Sequence, residues 1–215
     1  MTKFINLHTH QFSKDSEVIE IVNQYPWAFD ASIPNYSIGI HPWFIDENRL
    51  AADLDCIAEK LQLAPCLALG ECGLDKRIDI PMAVQMSVFR KQLEIAMQTH
   101  KPIVLHCVAA YDEVIAIKKE MKIANPMIVH GFSKNEQVAQ SLLNNGFYLS
   151  FGKYLVRNPE MEKVLKFVPE NQILLETDTI EESIYQVYEK AAAVKGISVA
   201  EMKAIVFDNF SRIFG

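Results

Sequence analysis

Six side chains in this sequence combine metal-ligand chemistry with a regular placement: His8, His10, Glu71, His106, His130 and Asp178. Each falls at or just past the end of a short apolar run, so the chain repeatedly delivers an imidazole or carboxylate where an extended segment stops. A mixed nitrogen and oxygen donor set of this kind suits zinc, manganese, iron or, with more water, magnesium. Two such ions roughly 3.5–4 Å apart act on an in-line displacement, and that chemistry is hydrolysis. His8 and His10 stand two apart on an extended segment, so their rings share one side and can share one ion while Thr9 faces away. Glu71 lies on the middle strand of the set, where a carboxylate can bridge two ions. Taken singly, a histidine at a strand end is most often a hydrogen-bonded structural residue. The force of the pattern is joint, because gathering imidazoles and carboxylates in one mouth is costly without a cation.

Such a convergence needs parallel strands whose C-terminal ends share a face. Short apolar, β-rich runs alternate with amphipathic stretches from about residue 36 onward: predicted strands at 36–41, 66–71, 103–106, 127–130, 147–151 and 172–177, and predicted helices at 48–63, 83–99, 111–121, 135–144, 158–167, 181–195 and 199–209. Val84, Val88, Leu93 and Met97 are inward candidates on the second helix. Pro65 is read as a helix stop, Pro159 as a first helical position and Ser198 as a cap. With residues 4–7 and 18–22 the strands number eight, and their continuous apolar character fits a parallel barrel sheathed by helices. The predicted fold class is α/β, a single (β/α)8 barrel of the TIM type over residues 1–215. Its first crossover is short, because residues 10–36 leave no room for a full helix. The gap of 35 residues from Glu71 to His106 holds the crossover that parallel strands require.

Half of the chain is hydrophobic and 22% is charged, enough apolar mass for a core. No apolar run approaches the roughly 20 residues of a membrane helix, and the opening residues do not read as a signal peptide, so a cytoplasmic enzyme is expected. The four cysteines, Cys56, Cys66, Cys72 and Cys107, lack zinc-knuckle spacing and read as free buried thiols. A net charge of −6 excludes a broad basic nucleic-acid face, while leaving a phosphate reachable through metal ions in a cleft. Lys76 and Arg77, just past Glu71, either meet an anionic substrate or face solvent, and Lys153 and Arg157 stand in the same position. His100 reads as structural.

The residues also match a family in chain order. N-L-H-T-H at 6–10, G-I-H-P-W at 39–43, G-E-C-G-L-D at 70–75, V-L-H at 104–106, H-G-F-S at 130–133, L-E-T-D at 175–178 and N-F-S-R-I-F-G at 209–215 resemble the TatD-type metal-dependent hydrolases, or TatD-related deoxyribonucleases, of the amidohydrolase-like barrels. The resemblance implies one metal on His8, His10, Glu71 and Asp178, and a second on Glu71, His106 and His130. It implies that His41 lines the substrate side, that Asp178 helps activate the attacking water, and that DNA or a smaller phosphodiester is cut, with 3′ to 5′ exonuclease action in the family. Two departures stand out. Cys107-Val108-Ala109 replaces an arginine and acid common after the fifth-strand histidine, and Thr179-Ile180-Glu181-Glu182 replaces a Pro-rich substrate loop.

Three other readings are open. A histidinol-phosphatase-like phosphomonoesterase also begins with H-x-H but normally adds a late D-x-H pair, and no histidine follows His130. An amide or lactone hydrolase on a similar barrel normally bridges its metals with a carboxylated lysine, where this chain offers Glu71. A scaffold with lost activity fits the reduced loops but not the complete ligand set. Sequence leaves the native metal and the oligomeric state undetermined.

Overall fold

The structure, a computed structural model, describes residues 2–215. Its strands are β1 (Phe4–Thr9), β2 (Val18–Gln24), β3 (Tyr36–Ile38), β4 (Cys66–Asp75), β5 (Ile103–Val108), β6 (Met127–Val129), β7 (Phe147–Phe151) and β8 (Ile173–Leu175). Its helices are α1 (Leu50–Lys60), α2 (Met82–Thr99), α3 (Tyr111–Glu120), α4 (Glu136–Asn144), α5 (Lys153–Arg157), α6 (Glu160–Phe167), α7 (Ile184–Lys195) and α8 (Val199–Phe214). The strands are ordered β1 to β8 in the sheet, and the β1–β2, β3–β4, β4–β5 and β7–β8 pairings are parallel. The chain divides into two compact units, residues up to Val22 with Val129–Gly215, and Asn23–Ile128, with both boundaries falling inside strands.

In the first unit, β1 is fixed by α7. The Tyr188 hydroxyl accepts from Ile5 N (3.0 Å) and donates to Ile5 O (3.1 Å), while Phe4 meets Tyr185 and Tyr188 edge-on. Capping boxes start both C-terminal helices, Ser183 with Gln186 and Ser198 with Glu201, each satisfying amides that a helix start leaves without partners. Asn209 of α8 donates to Glu170 O (2.7 Å) and Ile173 O (2.8 Å), anchoring the entry to β8.

In the second unit, two buried glutamines of α2 hold the loops that matter. Gln92 accepts from Ile40 N (2.7 Å) and donates to Ile40 O (3.1 Å). Gln85 accepts from Asp75 N (2.8 Å) and donates to Asp75 O (3.0 Å). The inward face of α2 is therefore Gln85, Val88, Phe89, Gln92, Leu93 and Ala96, whereas Val84 and Met97 are only half-buried. A purely apolar reading of this helix misses the two amides that satisfy backbone groups beside it.

Element bounds depart from expectation in ways that follow the hydrogen bonding. β4 continues to Asp75 and β5 to Val108, so Glu71 and His106 stand inside strands and not at their ends. Pairing persists because Gly73 (φ +146°), opposite His106, lets the backbones approach; a Cβ there would lie 2.0 Å from the His106 carbonyl oxygen. β3 stops at Ile38, and His41 instead caps a 3-10 turn, Pro42–Phe44. β6 and β8 are three residues each, leaving His130 and Asp178 on the loops that follow. The short helix α5 was not expected, α8 runs to Phe214, α1 ends before Pro65, and Pro159 is the N-cap of α6. The first crossover is short as predicted, with only the 3-10 turn Pro26–Ala28 between β1 and β3 apart from β2.

Candidate metal centre

The first unit assembles His8, His10 and Asp178. His8 is fully buried on β1 and His10 follows it two residues on, with their rings 5.1 Å apart. His10 Nε2 lies 3.4 Å and His8 Nε2 3.8 Å from the same oxygen, Asp178 Oδ1. Backbone fixes the carboxylate: Asp178 N donates to His8 O (2.9 Å), His10 N donates to Asp178 O (3.3 Å), and Thr9 bridges to Asp178. Asp178 sits at φ +55°, a left-handed conformation that aspartate tolerates better than most residues. The preceding Thr177 is tied to buried Asn6 by two hydrogen bonds, at 2.9 and 3.0 Å. A hollow of about 260 Å³ opens beside the group, lined by His10, Gln11, Asp178, Thr179, Glu181 and Glu182 among others.

His130 joins this unit's group from the loop after β6, its ring 4.4 Å from that of His8. Its Nδ1 faces Glu176 Oε1 at 3.3 Å, and that oxygen also accepts from Gly131 N (2.7 Å). A carboxylate on Nδ1 keeps the proton there, the tautomer in which Nε2 carries the lone pair a metal needs. Glu176 is fully buried and its Oε2 has no hydrogen-bond partner among the described residues. An orphaned buried carboxylate oxygen fits surroundings designed around a cation.

The second unit assembles Glu71, His106 and His41. Glu71 N donates to Asn23 Oδ1 (2.7 Å), and Glu71 Oε1 lies 2.9 Å from His106 Nδ1 and 3.2 Å from His41 Nε2. Asp75, two strand alternations past Glu71, faces His106 Nε2 at 3.2 Å. Asp75 Oδ2 also accepts from the Trp43 indole (2.8 Å) and Oδ1 from the Arg77 amide (2.8 Å). Burial works to raise the Asp75 pKa, but the bonds from Trp43, the Arg77 amide and His106 outweigh it and hold the carboxyl below its ordinary range. With Asp75 holding Nε2–H, His106 Nδ1 is the nitrogen turned to Glu71 as a ligand. His41 differs: its Nδ1 accepts from Trp43 N (3.1 Å), so Nε2 carries the proton and acts as a donor. His41, Glu71 and His106 do lie at ligand separations, yet this tautomer suits a hydrogen-bond donor better than a metal ligand.

The basic candidates divide. Lys76 pairs with Glu113 (2.6 Å), Arg157 makes two bonds to Glu182 (2.9 and 2.8 Å), and Lys153 lies 5.9 Å from the Tyr154 ring centre. Arg77 is exposed and makes no side-chain ion pair among the described residues. His100 is the left-handed C-cap of α2, a structural role. Cys66, Cys72 and Cys107 are buried free thiols, with burial pushing Cys66 and Cys107 up to about 12, and Cys56 is a half-buried free thiol. Sequence reasoning passed over Asp75, Glu176, Asn23 and Trp43. Alternation from Glu71 through Gly73 marks Asp75 as facing the same side; no sequence signal marks the other three as supports.

No helix among the described residues is long and apolar enough to cross a membrane. The uncharacterized metal-dependent hydrolase YcfH of Escherichia coli (strain K12) is 30% identical over 196 residues, 83% of this chain and 73% of its own length. A 3′-5′ ssDNA/RNA exonuclease TatD of Salmonella typhimurium is 26% identical over 179 residues, 80% of this chain and 64% of its own length. The crystal structure of YjjV, a TatD homolog from E. coli, superposes with a TM-score of 0.84 at 21% identity, covering 98% of this chain and 97% of that one. That likeness and the parallel strand order give the (β/α)8 barrel class expected from sequence. The TatD related DNase family profile matches residues 1–215, and the chain belongs to that family of metal-dependent hydrolases.

Proposed function

We propose that residues 1–215 form a single hydrolase domain that cleaves phosphodiester bonds, trimming DNA from the 3′ end, with two divalent ions, magnesium, zinc or manganese. The carrying observation is that His8, His10 and Asp178, and likewise Glu71 and His106, offer imidazole and carboxylate atoms within 4.8 Å of one another. Together with His130 these are the six ligands the sequence marks. Their donors are nitrogen and oxygen with no cysteine, which fits zinc or manganese and, with added water, magnesium. The name of the Salmonella relative supports nucleic acid as the substrate.

Divalent ions at such a site supply Lewis acidity at the phosphoryl group. The chain's own contribution is positional. Asp178, partly exposed beside the hollow, accepts the proton of the attacking water. Glu71 serves as ligand and fixes His106. His41, on the substrate side, donates Nε2–H to Glu71 Oε1 (3.2 Å) and so orients that carboxylate, the tautomer being set by the Trp43 amide. Arg77 offers an exposed cation to a neighbouring phosphate, and Lys76 can do so only by leaving Glu113. With a net charge of −6, recognition is confined to the cleft.

The test uses metal-stripped protein with magnesium, manganese or zinc added back, on bis-p-nitrophenyl phosphate and on a 3′-labelled single-stranded oligonucleotide. Turnover of both substrates only after metal addition, and its loss in Glu71→Gln, is the expected result. Hydrolysis of neither phosphodiester, with turnover of an amide, lactone or phosphomonoester panel, would replace this reading.

A further inference from the structure

Trp43 is 56% exposed, the largest value among the large hydrophobic side chains, yet it is not a loose ring. Its Nε1 is bonded to buried Asp75 (2.8 Å), and its ring stands at 88° to His41 (centroids 5.1 Å apart) and 75° to His106 (5.9 Å). Its backbone N caps onto His41. Four constraints thus hold a wide aromatic surface partly in water beside the Glu71–His106 group. Anchoring Asp75 needs only the N–H edge; it does not call for exposing an indole, which gains more when buried. Exposed Phe44 (41%) continues the aromatic face, 5.6 Å from the His41 ring, and exposed Arg77 follows Asp75.

Resting on the phosphodiesterase reading, we propose that Trp43 is the base platform of the site: the nucleobase next to the scissile phosphate stacks on its indole, making Trp43 a specificity-determining residue. A ring held by its edge to the carboxylate that supports His106 couples the position of the base to that of the Glu71–His106 group. Stacking reads any base, since every base has a π-face, and it requires the base to be unpaired from its complement.

Two readouts test this. In a Trp27→Phe background Trp43 is the sole tryptophan, because the chain has two. Titration of that protein, loaded with magnesium, with a short single-stranded oligodeoxyadenylate whose linkages are non-hydrolysable methylenephosphonates should quench its emission, and the same strand lacking its 3′-terminal base should not. In turnover, Trp43→Ala should raise KM for the intact strand roughly tenfold to a hundredfold. Trp43→Phe should recover most of that loss, and the alanine change should cost little on the abasic strand. Equal KM defects for Phe and Ala, or equal quenching by intact and abasic strands, would overturn the proposal and leave Trp43 as a support for Asp75. Because the quench is read without hydrolysis, a protein inactive on every phosphodiester but still quenched selectively would sink the phosphodiesterase reading alone.

Discussion

The candidate ligand groups of the two units use the same donor types in different settings. In the second unit Glu71, His41 and His106 expose only 5%, 6% and 12% of their side chains and stand on or beside paired strands, with Asp75, Asn23 and Trp43 bonded to them. In the first, His8 is fully buried and His130 exposes 9% with Glu176 bonded to it, whereas His10 and Asp178 expose 26% and 25%, and the aspartate is held chiefly by backbone bonds in a loop. The second group is framed by side chains throughout, and the first opens to water on one side, through His10 and Asp178 beside a hollow. The difference separates jobs: a group fixed within strands gives geometry, and a group open to solvent can exchange water and protons.

The comparison is broken most severely at its carboxylates. Glu71→Gln removes charge from a buried site and should lower turnover about a thousandfold, whereas His10→Ala, whose place water can fill, should cost far less and recover in part at higher metal concentration. Steady-state kinetics across a metal titration reads both. Equal losses for the two variants would erase the distinction between framed and open groups.

Backbone approach comes next. Gly73→Ala places a Cβ 2.0 Å from His106 O at a positive φ, and should cost about 3 kcal/mol or more of stability in urea unfolding. Gly152→Ala, whose Cβ would lie 2.5 Å from Glu176 O, strikes the first unit in the same way, with the looser of the two clashes and so less severely. The supporting carboxylates follow. Asp75→Asn and Glu176→Gln should each weaken metal binding by roughly tenfold to a hundredfold in calorimetry. Asp75 should lie at the upper end because it anchors both His106 and Trp43.

How much of this was legible in the sequence depends on what carried the signal. His8 and His10 declare themselves by alternation, and apolar runs between turns locate all eight strands. The ends of the strands are less visible, because β4 is prolonged by backbone pairing through Gly73 and not by hydrophobic residues. Polar supports are harder still: Gln85 and Gln92 sit in an amphipathic helix where pattern places them outside, and only the course of the backbone around them shows what they satisfy. Glu176 is hidden in the L-E-T-D run because its neighbour Asp178 draws the chemistry.

The smallest expected effect again separates the units. All four cysteines lie in the second unit, where burial pushes the Cys66 and Cys107 thiols to about 12. Unfolded thiols deprotonate near 8.5, so above that pH the unfolded chain holds fewer protons than the folded one and stability falls with rising pH. Urea unfolding from pH 8 to 10 should show the decline, and Cys66→Ala should make it shallower without abolishing it, since Cys72 and Cys107 are raised by burial too. A decline unchanged by that substitution would assign the alkaline sensitivity elsewhere.

The most direct test of the account is metal stoichiometry coupled to turnover. Stripped protein titrated with manganese should bind two ions per chain and regain hydrolysis of bis-p-nitrophenyl phosphate in step with occupancy, while Glu71→Gln and Asp178→Asn each lose binding and activity together. Full hydrolysis in the stripped protein, or no bound ion at millimolar manganese, would contradict it.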